Sequence, residues 1–133
     1  MLSIFANITA SPLAGCLTDL VLDHEAGIGM ALLCCPADFP GFVGHFPAAP
    51  VLPAVMQLLA VRLLTEVVVA NHLVPVRVER LKFKGMVTPG EEVRVRVALK
   101  EREDGIGAEF SLDRDGAAIA GGTIVFSLSG REV

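Results

Sequence analysis

The 133-residue sequence contains no tryptophan or tyrosine and only three cysteines. Cys16, Cys34 and Cys35 form an odd set with two adjacent members, which excludes a disulfide framework and the paired spacing of a zinc site. We expect all three to pack as small apolar residues. The sequence therefore indicates no metal and a reducing, cytoplasmic location.

Positive charge is also scarce. Eleven Lys and Arg residues face fifteen Asp and Glu residues, for a net charge of -4, and no stretch concentrates the basic ones. Nucleic acid is therefore not an expected partner. The N-terminus lacks the basic start of a secretory signal.

No apolar run is long enough to suggest a membrane span. The longest, residues 51–70, is interrupted by Pro53, Gln57, Arg62 and Glu66, so it favours a core helix. With 53% hydrophobic residues, the chain is expected to be one domain covering residues 1–133.

Residues 44–59, Gly-His-Phe-Pro-Ala-Ala-Pro-Val-Leu-Pro-Ala-Val-Met-Gln-Leu-Leu, are the most distinctive stretch. Its three prolines fix the backbone as a stiff, extended approach, and the last of them, Pro53, suits the first turn of a helix. From Ala54 the pattern is apolar nearly all round, which predicts a buried helix ending near Asn71 or His72. The stretch thus presents His45 beside a helix start, whose free N–H groups suit a carbonyl or an anion.

The remaining elements are predicted to be strands. Those before the helix form a hairpin, and those after it form an antiparallel meander with turns at Pro89-Gly90, Asp104-Gly105 and Asp115-Gly116. A bulge is expected near Arg80 and another at Gly121-Gly122. This order predicts an α+β fold in which a curved sheet wraps one helix. The clearest predicted strands are Leu17 to Asp23, Ile28 to Cys35, Val76 to Lys84 and Glu92 to Lys100.

Two blocks resemble the hot-dog-fold 3-hydroxyacyl-acyl-carrier-protein dehydratases. The first is Gly-His-Phe-Pro followed by Pro-Val-Leu-Pro and the helix; the second is the Leu-Lys-Phe-Lys strand at 81–84 with the Val-Thr-Pro-Gly-Glu turn at 87–91. The blocks occur in order and span most of the chain from about Phe42. The resemblance implies a hot-dog homodimer that acts on an acyl thioester carried by acyl carrier protein or coenzyme A, without a cofactor.

The resemblance also implies residue roles. His45 corresponds to the base that removes the proton α to the thioester, and the Ala54 N–H polarises the thioester carbonyl. The family's acid, which protonates the departing hydroxyl, falls at Leu59. The expected substrate-binding residues are Gly44, Phe46, Pro53, Ala54, Gln57 and Leu59.

Leu59 is the main departure, because leucine donates no proton. Glu66 is about 10 Å farther along the helix, and Arg62 remains protonated. Three functions therefore stay open: a dehydratase-like lyase of a specialised acyl or polyene branch, a non-catalytic acyl-thioester-binding subunit, and a thioesterase using Asp38. Alanines at 48 and 54, where the family has glycine, would be strained if the backbone required positive φ.

Other polar residues have simpler interpretations. Arg62 and Glu66 are expected to form an exposed ion pair, and His24 and His72 to lie at the surface. Gln57 needs buried partners, at an interface, in a loop or on the substrate. The alternating Arg94, Arg96 and Lys100 indicate either a solvated strand face or a surface for an acidic carrier protein.

Overall fold

The structure, a computed structural model, describes residues 12–40 and 51–127. They form one antiparallel six-stranded sheet in the order β1-β2-β4-β5-β6-β3, wrapped around one α-helix. This is the expected α+β hot-dog arrangement. After a short 3-10 helix at Pro12–Cys16, the elements are β1 Leu17–Asp23, β2 Ile28–Leu33, α1 Ala54–Val69, β3 Val74–Phe83, β4 Val93–Arg102, β5 Gly105–Arg114 and β6 Ala117–Ser127.

The strands follow the alternation in the sequence. In β4, Val93, Val95 and Val97 are buried while Arg94 and Arg96 are exposed, because successive side chains point to opposite faces of a sheet. The predicted hairpin of β1 and β2 and the predicted turns at Asp104-Gly105 and Asp115-Gly116 are confirmed. The predicted meander is wrong at its first strand, because β3 pairs with β6 at the edge of the sheet and not with β4. The sheet thus has an apolar inner face against the helix and a polar outer face.

Helix α1 begins at Ala54, where the helical pattern was predicted to start, and ends at Val69, shortly before the predicted end near Asn71 or His72. Pro53 is its N-cap, with extended backbone, rather than its first helical residue. Ala70 adopts a left-handed conformation, and the N–H groups of Ala70 and Asn71 both donate to the Glu66 carbonyl. This closes the helix at Val69.

The prediction that α1 is buried all round is only partly right. Its inner side packs against β2 and β4, and Ala60, Val61 and Leu64 are fully buried there. Near its start, however, Val55 is 68% exposed. One side of the first two turns is therefore uncovered in the single chain. No helix within residues 12–40 and 51–127 is long and apolar enough to cross a membrane.

The bulge near Arg80 is confirmed, and it explains why a glycine lies opposite it on β6. The register between β3 and β6 shifts between Glu79 and Lys82, and Arg80 has φ of 53°. Gly122 faces this bulge: a Cβ there would lie 3.1 Å from the Glu79 carbonyl oxygen. The second predicted bulge is wrong, because Gly121 and Gly122 keep unbroken pairing with β5.

The turn at residues 87–91 fastens the approach to the helix. The Leu52 N–H donates to the Val87 carbonyl at 2.7 Å, and the Gly90 N–H donates to the Cys35 carbonyl at 2.9 Å. The Glu91 carboxylate closes the turn by accepting the Thr88 N–H at 2.9 Å. The strand block and the helix block of the sequence therefore meet at this turn.

The cysteines are packed as predicted. Cys16 and Cys35 are buried, Cys34 is partly buried, and all three are free thiols. Burial, together with a side-chain hydrogen bond to Cys16, raises the pKa of the Cys35 thiol to about 12. Cys35 is therefore a protonated core residue at neutral pH.

Replacing Gly122 with alanine should destabilise the fold, because its Cβ would press on the backbone of the β3 bulge. We expect a loss of about 1–3 kcal/mol in the free energy of unfolding, measured by urea denaturation. Gly121→Ala is the matched control, since its Cβ would make only an ordinary contact, at 3.5 Å with the Phe110 carbonyl, and should change stability by less than about 0.5 kcal/mol. Equal effects of the two variants would contradict the bulge explanation.

Glu91→Gln should weaken the turn in a pH-dependent way. Hydrogen bonds from Thr88, with a smaller contribution from Arg114, lower the pKa of Glu91. A lowered folded-state pKa gives stability that is present above the unfolded value of 4.5 and lost as pH falls through the folded value. Thermal melts should therefore show the variant slightly less stable at pH 7, by under about 1 kcal/mol, and the gap should close below pH 4.5. A pH-independent gap would contradict this role.

Candidate functional site

The start of α1 presents unsatisfied backbone donors. The N–H groups of Met56 and Gln57 donate to the Pro53 carbonyl at 3.0 and 3.2 Å. Those of Ala54 and Val55 have no acceptor among the described residues. Ala54 has ordinary helical backbone rather than positive φ, so alanine carries no strain there. These two N–H groups can stabilise negative charge on a carbonyl oxygen.

Gln57 holds the helix start in place. Its side chain is 4% exposed, and its Nε2 donates to the Leu52 carbonyl at 3.1 Å. Its Oε1 is buried and has no hydrogen-bond partner within the described part of the chain. The expectation that Gln57 binds a loop residue is thus confirmed.

An apolar groove, defined here by Val55, Leu58, Leu59 and Arg62 of α1 together with residues of β3 and β6, runs beside the exposed helix side. It encloses about 230 Å³, and its sheet side consists of Pro75, Val78, Ile124 and Phe126. Leu59 faces this groove, whereas Gln57 is buried. The groove begins at the free N–H groups of the helix start, so it can hold an apolar chain attached to a carbonyl bound there.

The prediction of an exposed Arg62–Glu66 ion pair is wrong in one respect. Arg62 Nε lies 3.4 Å from Glu66 Oε2, as the spacing predicted, but Glu66 is fully buried. Its carboxylate also accepts the Leu73 N–H at 2.9 Å, which fixes the chain just after the helix. Glu66 is therefore a structural anchor turned away from the groove, and Arg62 lines the groove.

Three expected site residues, Gly44, His45 and Phe46, lie outside the described residues, as does Ala48. The structure places Leu59 in the lining of the apolar groove, and Pro53 and Ala54 directly before Val55, the first groove residue of α1. The two surface histidines behave largely as expected. His24 lies in an exposed turn, with Nδ1 2.9 Å from the Val68 carbonyl oxygen at the helix end. His72 is 40% exposed, with Nδ1 3.9 Å from Glu66 Oε2.

A basic groove on the outer sheet face was missed by the sequence reasoning. It encloses about 650 Å³ and is lined by Arg80 and Lys82 of β3 and by Lys84 directly after that strand. None of the three makes an ion pair with a described residue. Lys100 of the predicted strip is instead paired with Glu109 at 3.4 Å. The sequence feature that could have predicted this basic groove is the pair of lysines, Lys82 and Lys84, on either side of a phenylalanine.

The sequence matches known dehydratases. The model of the ApeI-like family, described as ApeI dehydratase, matches residues 24–123, which is more than half of the chain. The 3-hydroxyacyl-[acyl-carrier-protein] dehydratase FabZ of Herpetosiphon aurantiacus is 28% identical over 121 residues, covering 84% of this chain and 86% of the relative. FabZ of Shewanella amazonensis is 32% identical over 105 residues, covering 71% and 69%.

Solved structures agree on the fold. The dehydratase heterocomplex ApeI:P from Xenorhabdus doucetiae has a TM-score of 0.63 at 24% identity, covering 75% of this chain and 87% of its own. Zebra fish thioesterase superfamily member 2 has a TM-score of 0.70 at 15% identity, covering 95% and 94%. These two similar structures are a dehydratase and a thioesterase superfamily member, so they show only the fold. The family assignment comes from the sequence match. On that match, the chain belongs to the ApeI-like dehydratase family of hot-dog proteins.

Proposed function

We propose that the protein is a dehydratase-like lyase that interconverts 3-hydroxyacyl and 2-enoyl thioesters. The observation that carries this proposal is the pair of free N–H groups, on Ala54 and Val55, at the mouth of the apolar groove. The donors suit a thioester carbonyl, and the groove suits the acyl chain attached to it. Membership of the dehydratase family supports the same chemistry.

The reaction needs a base, and His45 fills that role in the proposal. Its imidazole removes the proton on the carbon α to the thioester, and the negative charge that develops on the carbonyl oxygen accepts a hydrogen bond from Ala54. Each such oriented donor contributes about 3 kcal/mol to the transition state. The bond between the β-carbon and its hydroxyl then breaks, and the hydroxyl leaves as water once it has gained a proton.

The source of the proton that the leaving hydroxyl gains differs in this proposal from the acid that the resemblance implies. Leu59 lies on the groove wall where the family's acid would be, and Glu66 is buried and bonded to the Leu73 N–H, so it faces away from the substrate. Water that enters with the substrate is the proposed donor. A solvent donor is weaker than a placed carboxylic acid, so turnover should be slow.

The active form is proposed to be a homodimer. β3 is an edge strand, and edge strands with apolar side chains are prone to pair with another chain. Val74, Val76 and Val78 of this strand are exposed. A second copy across this edge would also cover the open side of the apolar groove, of which Val78 is part. In such a dimer His45 of one copy serves the groove of the other, as the resemblance implies.

The second candidate function is a non-catalytic subunit that binds acyl thioesters. Leu59 favours it directly, because the groove and the N–H donors remain while the acid is absent. The thioesterase hypothesis is weaker, since Asp38 is an exposed turn residue and has no described link to the groove.

The acyl group is proposed to arrive on an acidic carrier protein in a reducing cytoplasm. The unpaired Arg80, Lys82 and Lys84 give a basic surface on a chain of net negative charge, and the three free cysteines suit a reducing compartment. Coenzyme A is the alternative carrier.

The first test is hydration of a 2-enoyl thioester, followed by loss of the enoyl absorbance. His45→Ala should lower the rate by about 10²–10⁴-fold, the usual contribution of a general base. Leu59→Glu should raise it, because it supplies a proton donor. The gain should be larger in Leu59→Glu combined with Arg62→Met, since Arg62 one turn away would hold the new carboxylate ionised.

Leu59→Gln is the matched control, because an amide has nearly the same shape as the acid but no acidic proton. Turnover by wild type and its loss in His45→Ala would support the lyase. A silent wild type with an active Leu59→Glu variant would favour the binding subunit. Equal rates for wild type and His45→Ala would contradict the role of His45.

The carrier surface is tested by charge reversal. The double variant Lys82→Glu and Lys84→Glu should weaken binding of an acylated carrier protein by roughly tenfold or more, and leave binding of the same acyl group on pantetheine unchanged. The matched control is Arg94→Glu with Arg96→Glu, on β4 of the same face. If only the control pair weakens carrier binding, the β4 strip is the docking surface. If neither pair matters, the carrier proposal fails.

A further inference from the structure

The apolar groove contains one feature that a simple fatty acyl chain would not need. Among the described residues that line it, Arg62 alone carries a charge. A guanidinium beside apolar walls loses hydration when a chain fills the groove, and this cost is recovered only if the chain brings a partner. The position of Arg62 therefore affects which acyl chains the groove can bind.

Arg62 is held so that part of its guanidinium stays available. Its Nε is directed at the buried Glu66 carboxylate at 3.4 Å, and Glu66 is itself fixed by the Leu73 N–H. The two terminal nitrogens of Arg62 have no hydrogen-bond partner within the described residues, and the side chain is 36% exposed. Two parallel N–H donors of this kind match the two oxygens of a carboxylate.

The distance between the ends of the groove sets the length of a suitable ligand. Arg62 is eight residues after Ala54, which corresponds to about 12 Å along the helix axis. Val55, Leu58 and Leu59 cover the space between them. An extended chain held at its thioester by the Ala54 N–H would thus run over an apolar wall and reach Arg62 with its far end.

We propose that the groove binds acyl thioesters whose far end carries a carboxylate, and that Arg62 selects them. The proposal rests on the function proposed above only in taking the groove as the acyl site. The carboxylate would pair with the terminal nitrogens of Arg62, while Glu66 keeps the guanidinium in orientation. A chain that ends in a methyl group would bury the two terminal nitrogens of Arg62 without supplying a hydrogen-bond acceptor for them.

Binding of two unreactive thioesters of equal length, decanoyl-pantetheine and its ω-carboxy analogue, tests the proposal by calorimetry on the full chain. Wild type should bind the ω-carboxy compound at least about tenfold more tightly, because hydrogen bonds between charged groups are the strong ones. Arg62→Met should abolish or reverse this preference. Arg62→Lys, which keeps the charge but not the paired donors, should retain part of it.

Two further variants serve as controls for misfolding and for a general effect of removing an arginine. Arg62→Met combined with Glu66→Gln avoids leaving the buried carboxylate without its arginine, in case the single variant does not fold. Arg94→Met removes an exposed arginine on the outer sheet face and should leave the preference unchanged.

The outcomes separate this proposal from the catalytic one. Equal binding of both thioesters by an enzyme that hydrates enoyl thioesters would overturn the role of Arg62 alone. A clear preference without any hydration would uphold it and remove the lyase function. If neither thioester binds, and Arg62→Met instead changes the oligomeric state by light scattering, the groove is occupied by a second copy and the proposal is wrong.

Discussion

Two hydrogen bonds on one residue fix the place where the helix begins, and the candidate site depends on them. Leu52 donates its N–H to Val87 and receives the Gln57 side chain on its carbonyl. Leu52 is thus tied both to the turn at residues 87–91 and to the first turns of α1. Pro53 follows, and it removes one backbone donor and blocks helix before it. The N–H groups of Ala54 and Val55 follow at the first turn of the helix and have no acceptor within residues 12–40 and 51–127.

The cost of this arrangement is visible in Gln57. Its amide is buried and donates to one carbonyl, and its oxygen has no partner among the described residues. A buried polar atom that is left unpaired costs about 1–3 kcal/mol in general. A leucine at this position would pack without that penalty but would release Leu52. At the other end of the helix, Glu66 has a comparable role, because its buried carboxylate fastens Leu73. Two of the three buried polar residues of α1, Gln57 and Glu66, therefore bind the chain next to a helix end. The third, Thr65, donates its hydroxyl to the Val61 carbonyl within the helix.

Sequence reasoning found the elements that local patterns determine. The alternation of Val93, Val95 and Val97 defined β4, and the break in alternation near Arg80 located the bulge. It failed where a contact between distant segments decides the outcome. The spacing of Arg62 and Glu66 correctly predicted their pairing, but the burial of Glu66 follows from the Leu73 N–H, seven residues away. An acyl site beside the helix was expected from the resemblance, but the sheet side of the apolar groove could not be predicted, since it needs α1 beside β3 and β6. His45 remains a prediction from its motif.

The leucine at position 59 and the arginine at position 62 can be explained together. They lie three residues apart on the groove side of α1, about 4.5 Å along the axis. A carboxyl group at position 59 would be within reach of the Arg62 guanidinium, and an opposite charge at 4–6 Å lowers a carboxyl pKa by about 1–3 units. Such a residue would be ionised for more of the time at neutral pH and would be a weaker general acid than one without the arginine. With Arg62 on the groove wall, an acid at position 59 is therefore less effective, whereas leucine extends the apolar wall. Under the proposed recognition of an ω-carboxylate, the absent acid and the present cation therefore have one explanation: the groove uses its polar contact to bind the far end of the ligand rather than to donate a proton.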